Sequence, residues 1–258
     1  MKEDLVSIIT PTYNCASFIA ETIESVRKQS YQNWEMLIVD DCSSDNTKDI
    51  VEQFSDDSRI KYYCLDCNSG AAVARNTALK IAKGRWIAFL DSDDIWSPVK
   101  LEKQIQFMKK KGIHFSYTHY EEIDEEGKRI GRIVAGPRKI TRLGMLAYCW
   151  PGCLTVVYEK STIGIIQIPN IKKNNDYAIW LNVIKQADCY LLKENLAKYR
   201  KRTGSISNAN YLSLIKWHYK LFRKLESYNV PVAIFLTLNN LVFGILKKIL
   251  YVKKYSVY

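Results

Sequence analysis

The chain has 258 residues, 47% of them hydrophobic, which suits one large α/β domain, or one domain with an appendage, around a sizeable core. A net charge of +11 points to an anionic partner, whether a nucleotide, a nucleic acid or an anionic membrane. Residues 1–5 hold no apolar signal region, and no run of about 18 uninterrupted apolar residues exists, so neither secretion nor a transmembrane helix is expected.

Leu5 to Thr10 reads as a strand, broken by Pro11-Thr12-Tyr13-Asn14. Phe18, Ile19, Ile23 and Val26 fall at helical spacing, with Ser17 as the expected N-cap. Trp34 to Val39 is a second strand, followed by Asp40-Asp41-Cys42-Ser43-Ser44-Asp45. Ile50, Val51 and Phe54 mark a short helix, and Ile60 to Leu65 is a third strand ending in a polar turn to Gly70. An alanine-rich helix over 71–82 carries Arg75 and Asn76 near its start. Trp86 to Leu90 is a buried strand that finishes in three carboxylates, Asp91, Asp93 and Asp94.

Strand and helix alternate four times, which predicts an α/β fold with a mostly parallel, twisted sheet and helices on both faces. Ligands of such sheets bind beyond the carboxyl ends of the strands. Thr10 to Asn14, Asp40 and Asp41, Asn68 to Arg75, and Asp91 to Asp94 should all meet on that rim. Clustered carboxylates repel unless a cation sits among them. A hard ion such as Mg²⁺ or Mn²⁺, shared with substrate phosphates, is one answer. The other is that Asp94 caps a helix and its neighbours are solvated. No Gly-x-Gly-x-x-Gly or Walker loop follows the first strand, so a bound diphosphate would rely on a metal and on Arg75.

Phe115 to Tyr120 reads as a strand, and Asp124 to Gly127 as a hairpin turn. Ile140 to Trp150 reads as a helix with Leu143, Leu146 and Ala147 facing inward, followed by a turn, Trp150 to Cys153, placed to line an acceptor site. The seven cysteines are read as reduced, buried thiols, and Cys64-Leu-Asp-Cys67 lacks the second Cys or His pair of a zinc site. His114, His119 and His218 form no ligand-spaced pair. From Tyr211 the chain is basic: Lys216, Lys220, Arg223, Lys224, Lys247, Lys248, Lys253 and Lys254 oppose Glu226 alone. Between them runs Val230 to Leu246, interrupted by Asn239 and Asn240 and short for a membrane span. It is expected either to lie on an anionic membrane surface or to pack back on the domain.

Four segments carry a resemblance. Val6 to Asn14, Ile38 to Thr47, Gly70 to Asn76 and Phe89 to Asp94 are together similar to family 2 glycosyltransferases of the GT-A fold. The resemblance implies an inverting transfer from a nucleoside-diphosphate sugar, most often a UDP-sugar, with Mn²⁺ or Mg²⁺ as cofactor. It implies that Pro11, Thr12 and Tyr13 line the nucleotide pocket and that Asp41 contacts the base. Arg75 approaches the nucleotide, Asp91 and Ser92 lie by the ribose or sugar, and Asp93 is the metal ligand. Lys172 to Leu181 resembles the family's Glu-Asp helix head, with Asn175 where Glu is usual and Asp176 at the position of the general base. Taken alone, Asp176 reads equally as a carboxylate favoured at a helix start. Tyr199 to Ser207 resembles the segment that closes over the diphosphate, with Arg200 the first candidate and Arg202 the second.

The expected organisation is a glycosyltransferase domain over 1–207, with a nucleotide-binding half over 1–110 and an acceptor half over 111–207. A basic amphipathic helical tail over 208–258 follows. The expected acceptor is a saccharide, lipid-linked through undecaprenyl diphosphate, in surface polysaccharide assembly such as O-antigen or capsule. The expected place is cytoplasmic, peripheral at the inner face of an anionic membrane. Two other classes remain open from the residues: a nucleotidyltransferase, and a non-enzymatic membrane or nucleic-acid binding module. Acidic strand ends argue against nucleic acid as a partner.

Overall fold

The structure, a computed structural model, describes residues 2–171, 173–202 and 211–256. Its first half comprises β1 (Lys2–Thr12), α1 (Ile19–Arg27), β2 (Trp34–Asp40), α2 (Thr47–Glu52), β3 (Ile60–Cys64), α3 (Ala71–Ile81) and β4 (Gly84–Phe89). Next come β5 (Ile95–Trp96), α4 (Lys100–Lys111), β6 (Phe115–Ile123), β7 (Arg129–Val134), β8 (Lys139–Ile140) and α5 (Arg142–Ala147). They are followed by β9 (Val157–Glu159), α6 (Lys160–Ile163), α7 (Asn175–Val183) and β10 (Cys189–Arg200). The chain closes with α8 (Tyr211–Lys220), α9 (Val230–Leu250) and β11 (Val252–Lys254).

These strands form one mixed sheet in the order β3-β2-β1-β4-β9-β6-β7-β11, with β10 joined to β6 and to the short β5 and β8. β1 to β4 pair in parallel, as expected; β9, β7 and β11 add antiparallel strands beyond them. Successive strand residues point to opposite faces. Ile9, Leu37, Val39, Ile87 and Phe89 therefore meet α3 and α7 on one face. Ile8, Met36, Ile38, Trp86 and Ala88 meet α1 and α4 on the other. Burial on both sides explains why these strands are continuous apolar runs. The register aligns Thr12 with Asp40, and Asp40 with Cys64, so the strand ends finish on one rim.

Several local expectations are corrected. Pro11 does not end β1, which runs to Thr12. Leu90 N–H donates to Ile9 O as β4 ends, so Pro11, two residues on and facing the same way, meets no acceptor that needs a donor. Ser17 does not cap α1; Phe18 holds that position with no side-chain cap. The helix expected over 140–150 is only Arg142–Ala147, capped by Thr141, and Leu143 is 78% exposed rather than inward. The cysteines are all free, but Cys42, Cys64 and Cys67 are exposed, not buried. The hairpin turn at Asp124 to Gly127 is present and joins β6 to β7.

The C-terminal segment is woven into the same sheet, with β11 antiparallel to β7. α9, at 21 residues, is long and apolar enough by length and composition to cross a membrane, contrary to the expected shortness. Its Ala233, Leu236, Thr237 and Asn240 are buried on the domain, and Asn240 Nδ2 donates to Tyr177 OH at 2.9 Å. The Asn that interrupts the apolar run is thus a docking residue. The outer face carries Phe235, Leu238, Val242, Ile245, Ile249 and Leu250, all more than half exposed.

A charged side chain is sealed beneath the sheet. Lys100, at the start of α4, is fully buried; its Nζ donates to Gln104 Oε1 at 2.8 Å and sits 4.1 Å from the Trp96 ring centre. Burial pulls its pKa from 10.5 down to about 7. The unfolded chain then binds more protons than the folded one between those values, so stability rises with pH across that window. In Lys100→Met this contribution is absent. The unfolding free energy of the wild type, relative to the variant, should therefore grow from pH 7 to pH 10 in denaturant titrations; equal pH slopes would contradict it.

Candidate functional site

The rim is built by acids that tie loops together and acids that face cations. Asp40 accepts from Ser43 N–H and Oγ at 2.8 and 2.6 Å and from Tyr62 OH at 2.7 Å. Asp41 accepts Ser69 and Gly70 N–H at 2.7 and 2.8 Å, fixing the head of α3. Gly70 has φ +93°, a conformation that suits glycine and aims its N–H at Asp41. Asn14 joins the β1 and β2 ends through Ser43 and Ser44. Thr10 and Thr12 hydroxyls are buried without a hydrogen-bond partner among the described residues, and the Tyr13 ring is 47% exposed beside them.

The loop after β4 separates its three carboxylates. Asp94 turns inward, where its Oδ1 accepts Arg200 N–H at 2.9 Å. It is neither a helix cap nor a third acid facing the cleft. Asp91 and Asp93 stay at the rim. Thr22 Oγ1 donates to Ser92 O and Asp94 O at 3.0 and 2.9 Å, so Ser92 contributes its carbonyl to holding the loop. No periodicity argument marks Thr22, because it looks like any polar residue on α1.

Arg75, buried on α3, places Nη2 2.6 Å from Asp91 and Nη1 3.0 Å from Asp176. Burial works against its charge, but Asp176 and Asp91 outweigh it and keep the guanidinium protonated. Asp176 lies in the first turn of α7, part-exposed, close to the buried Cys153 thiol. Burial raises its pKa above the ordinary carboxylate value, Arg75 opposes this, and Asp91 adds to it. The sequence offered Arg75 as a nucleotide contact; in the structure it is the bridge between two carboxylates. Cys153 came from the turn assigned to the acceptor side, and it reaches Asp176.

Arg200 and Arg202, the two candidates of the β10 end, meet different partners. Arg200 is buried, and its donors go to Asp93 O at 2.9 Å, Glu125 O at 2.7 Å, Asp124 O and Glu21. It staples β10 to the loop after β4, to the β6–β7 turn and to α1. Arg202 Nε lies 2.8 Å from Asp93 Oδ2, one-third exposed at the rim. Thr203 to Ser207, the rest of that segment, and Lys172 lie outside the described residues.

Burial, then the Asp91 charge, pushes the Asp93 carboxyl up, while Arg202 and Arg200 pull it down. A carboxylate in that setting gains from a nearby cation. Among the described residues no group of three His, Cys, Asp or Glu side chains converges to hold an ion alone. Asp93 with Asp91 does fit the one- or two-carboxylate set of a hard ion that completes its shell with substrate phosphates.

Residues 7–154 match glycosyl transferase family 2. The chain belongs to that family. Over 250 residues this glycosyltransferase is 44% identical to the Escherichia coli UDP-Glc:α-D-GlcNAc-diphosphoundecaprenol β-1,3-glucosyltransferase WfgD, covering 96% of each chain. It is similar to Staphylococcus aureus TarS residues 1–349 in complex with UDP-GlcNAc, with a TM-score of 0.72 and 25% identity, over 85% of this chain and 64% of that one. A mannosyltransferase of Pyrobaculum calidifontis, in complex with GDP-Man and Mn²⁺, shares the fold at a TM-score of 0.63 and 15% identity, over 93% of this chain and 75% of that one.

The two arginines of the glycosyltransferase give a paired test. Arg200→Met should lower unfolding stability by about 2–3 kcal/mol, because it strips buried carbonyls of their donor. Arg202→Met should leave stability within about 0.5 kcal/mol and weaken nucleotide binding. Denaturant melts and calorimetry on both variants check this; the reverse ranking would restore Arg200 as the diphosphate contact.

Proposed function

We propose that this family 2 enzyme transfers a sugar, with inversion, from a UDP-sugar to a lipid-linked saccharide diphosphate in surface polysaccharide assembly. The observation that carries the reading is the chain of ion pairs Asp91–Arg75–Asp176. It joins the donor end of β4 to a raised-pKa carboxylate at the head of α7. Donor and acceptor follow the printed activity of the relative that aligns over nearly the whole chain.

In this reading residues 1–110 bind the nucleotide and 111–207 the acceptor. Pro11 and Tyr13 face the base, Thr12 offers its free hydroxyl, and Asp41 has lone pairs left for the base. Asp91 and Ser92 lie beside the ribose and sugar. Asp176 Oδ takes the proton of the acceptor hydroxyl as that oxygen attacks the anomeric carbon and the nucleoside diphosphate leaves. Its raised pKa suits a base, and Arg75 keeps it aimed. Arg202 lies at the rim, free to move from Asp93 to the departing diphosphate as negative charge develops there. Mn²⁺ or Mg²⁺, when bound at Asp93, would supply further charge stabilisation of the leaving group.

The enzyme acts at the cytoplasmic face of a membrane. The outward face of α9 supports this, since a row of large exposed apolar side chains marks a contact surface of the kind a bilayer covers. A separate hollow lined by Lys111, Arg138, Lys139 and Lys193 presents cations of the kind that attract anionic lipid.

Calorimetric titration of UDP with Mn²⁺, then with chelator, tests the donor side. Binding should need the metal and should fail in Asp93→Asn. Asp176→Asn should still bind UDP and lose about 10²–10⁴-fold in transfer; retained turnover would move the base elsewhere. For the membrane, the double variant Phe235→Ser, Ile249→Ser should fold normally, since these side chains are 64% and 70% exposed. It should no longer sediment with phosphatidylglycerol vesicles; unchanged sedimentation would reject α9 as the contact.

A further inference from the structure

Asp93 stands in a stretch whose main chain is held residue by residue. Asp94 N–H donates to Asp91 O at 3.1 Å. Cys15 Sγ and Thr22 Oγ1 lie 3.3 and 3.0 Å from Ser92 O as donors. Arg200 Nε donates to Asp93 O at 2.9 Å, and Thr22 Oγ1 lies 2.9 Å from Asp94 O. Four consecutive carbonyls thus have donors, while the Asp91 and Asp93 side chains stay part-exposed at the rim.

One side chain serves two of the four. Thr22 Oγ1 bridges the carbonyls on either side of Asp93, sharing its single proton between them. A helical threonine hydroxyl commonly turns back to the carbonyl four residues earlier. Here that atom, Phe18 O, is 3.5 Å away, farther than either loop carbonyl. Thr22 is fully buried on the face of α1 that also buries Ile19, Ile23 and Val26. Core packing of the helix therefore sets where the hydroxyl sits, and the loop conforms to it.

Ser25, one turn further along α1, reaches a different segment. Its hydroxyl donates to Thr22 O at 2.7 Å and accepts Trp96 N–H at 3.2 Å. It holds β5 and, among the described residues, makes no hydrogen bond to residues 91–94. Two buried hydroxyls on one helix face thus divide between the loop that carries Asp93 and the strand that follows it.

We infer that Thr22 is a positioning residue for the divalent ion: by bridging Ser92 O and Asp94 O it holds the Asp93 carboxylate outward before an ion or a diphosphate arrives. The inference rests on the reading above of Asp93 as the metal ligand. A loop ordered at folding does not have to be ordered at the expense of binding. Groups that orient a metal ligand typically carry about 10–100-fold in metal affinity.

The test titrates Mn²⁺ into the full-length protein with UDP present and follows free Mn²⁺ by its electron-spin resonance signal. Thr22→Val, which keeps the shape and removes the hydroxyl, should weaken Mn²⁺ by about 10–100-fold. Thr22→Ser, which returns the hydroxyl, should recover most of that loss. Ser25→Ala should lose comparable stability in denaturant melts and keep wild-type Mn²⁺ affinity; Thr22→Ala gives the same comparison where valine disturbs the packing. With no metal added, hydrogen exchange of the 91–94 amides should quicken in Thr22→Val and stay slow in Ser25→Ala. Unchanged Mn²⁺ affinity in Thr22→Val, or an equal loss in Ser25→Ala, would overturn the inference and leave the metal reading standing. Wild-type protein that takes up no Mn²⁺ with UDP, or Asp93→Asn that takes it up as tightly, would overturn that reading and the inference with it.

Discussion

A buried guanidinium has to be matched by charge, and the match made by Arg75 organises the rest of the site. One partner, Asp91, ends β4; the other, Asp176, begins α7, 85 residues later by the numbering. Removing either partner would leave a buried cation poorly compensated, a far larger cost than a surface ion pair contributes. The pairing therefore fixes where the second half of the chain sits on the first. It also sets two carboxylates on either side of one cation, which offsets their mutual repulsion.

The acids of the rim divide by what they face. Asp40, Asp41 and Asp94 accept from main-chain N–H groups, which cannot move away, so these carboxylates are committed to holding turns. Asp91 and Asp176 face the buried guanidinium of Arg75, and Asp93 faces the part-exposed one of Arg202. The same division separates Arg200 from Arg202. A guanidinium whose donors are spent on carbonyls of two segments and a carboxylate of a third is a staple. One that holds a single carboxylate at the surface is available.

α9 reverses the usual arrangement of a surface helix, with Thr237 and Asn240 turned in and a row of large apolar side chains turned out. In water this exposes apolar surface that burial would otherwise remove at roughly 25 cal/mol per Å². The polar inner contacts, Asn240 to Tyr177 above all, make the docking specific to one register. The tail is thus packed on the domain with a large apolar face left outward, and the two alternatives read from its composition are not exclusive.

The alternation of strand and helix, the parallel first half, the rim of strand ends and the family were legible in residues 1–110, because a sheet buried on both faces leaves continuous apolar runs between polar turns. Asp93 and Asp176 were legible as motif positions. What each acid faces was not: Asp94 and Asp91 stand three residues apart in one loop, yet one meets a backbone amide and the other a guanidinium. Nor could spacing reveal Thr22, Cys153 or the staple made by Arg200, since each acts on a segment remote in sequence. Leu143 had the character of a core residue but no core above it. Composition and periodicity determine which residues leave water and in which elements; which buried or half-buried group meets which partner is decided by tertiary contact, where pairing energies between distant segments outweigh any local preference.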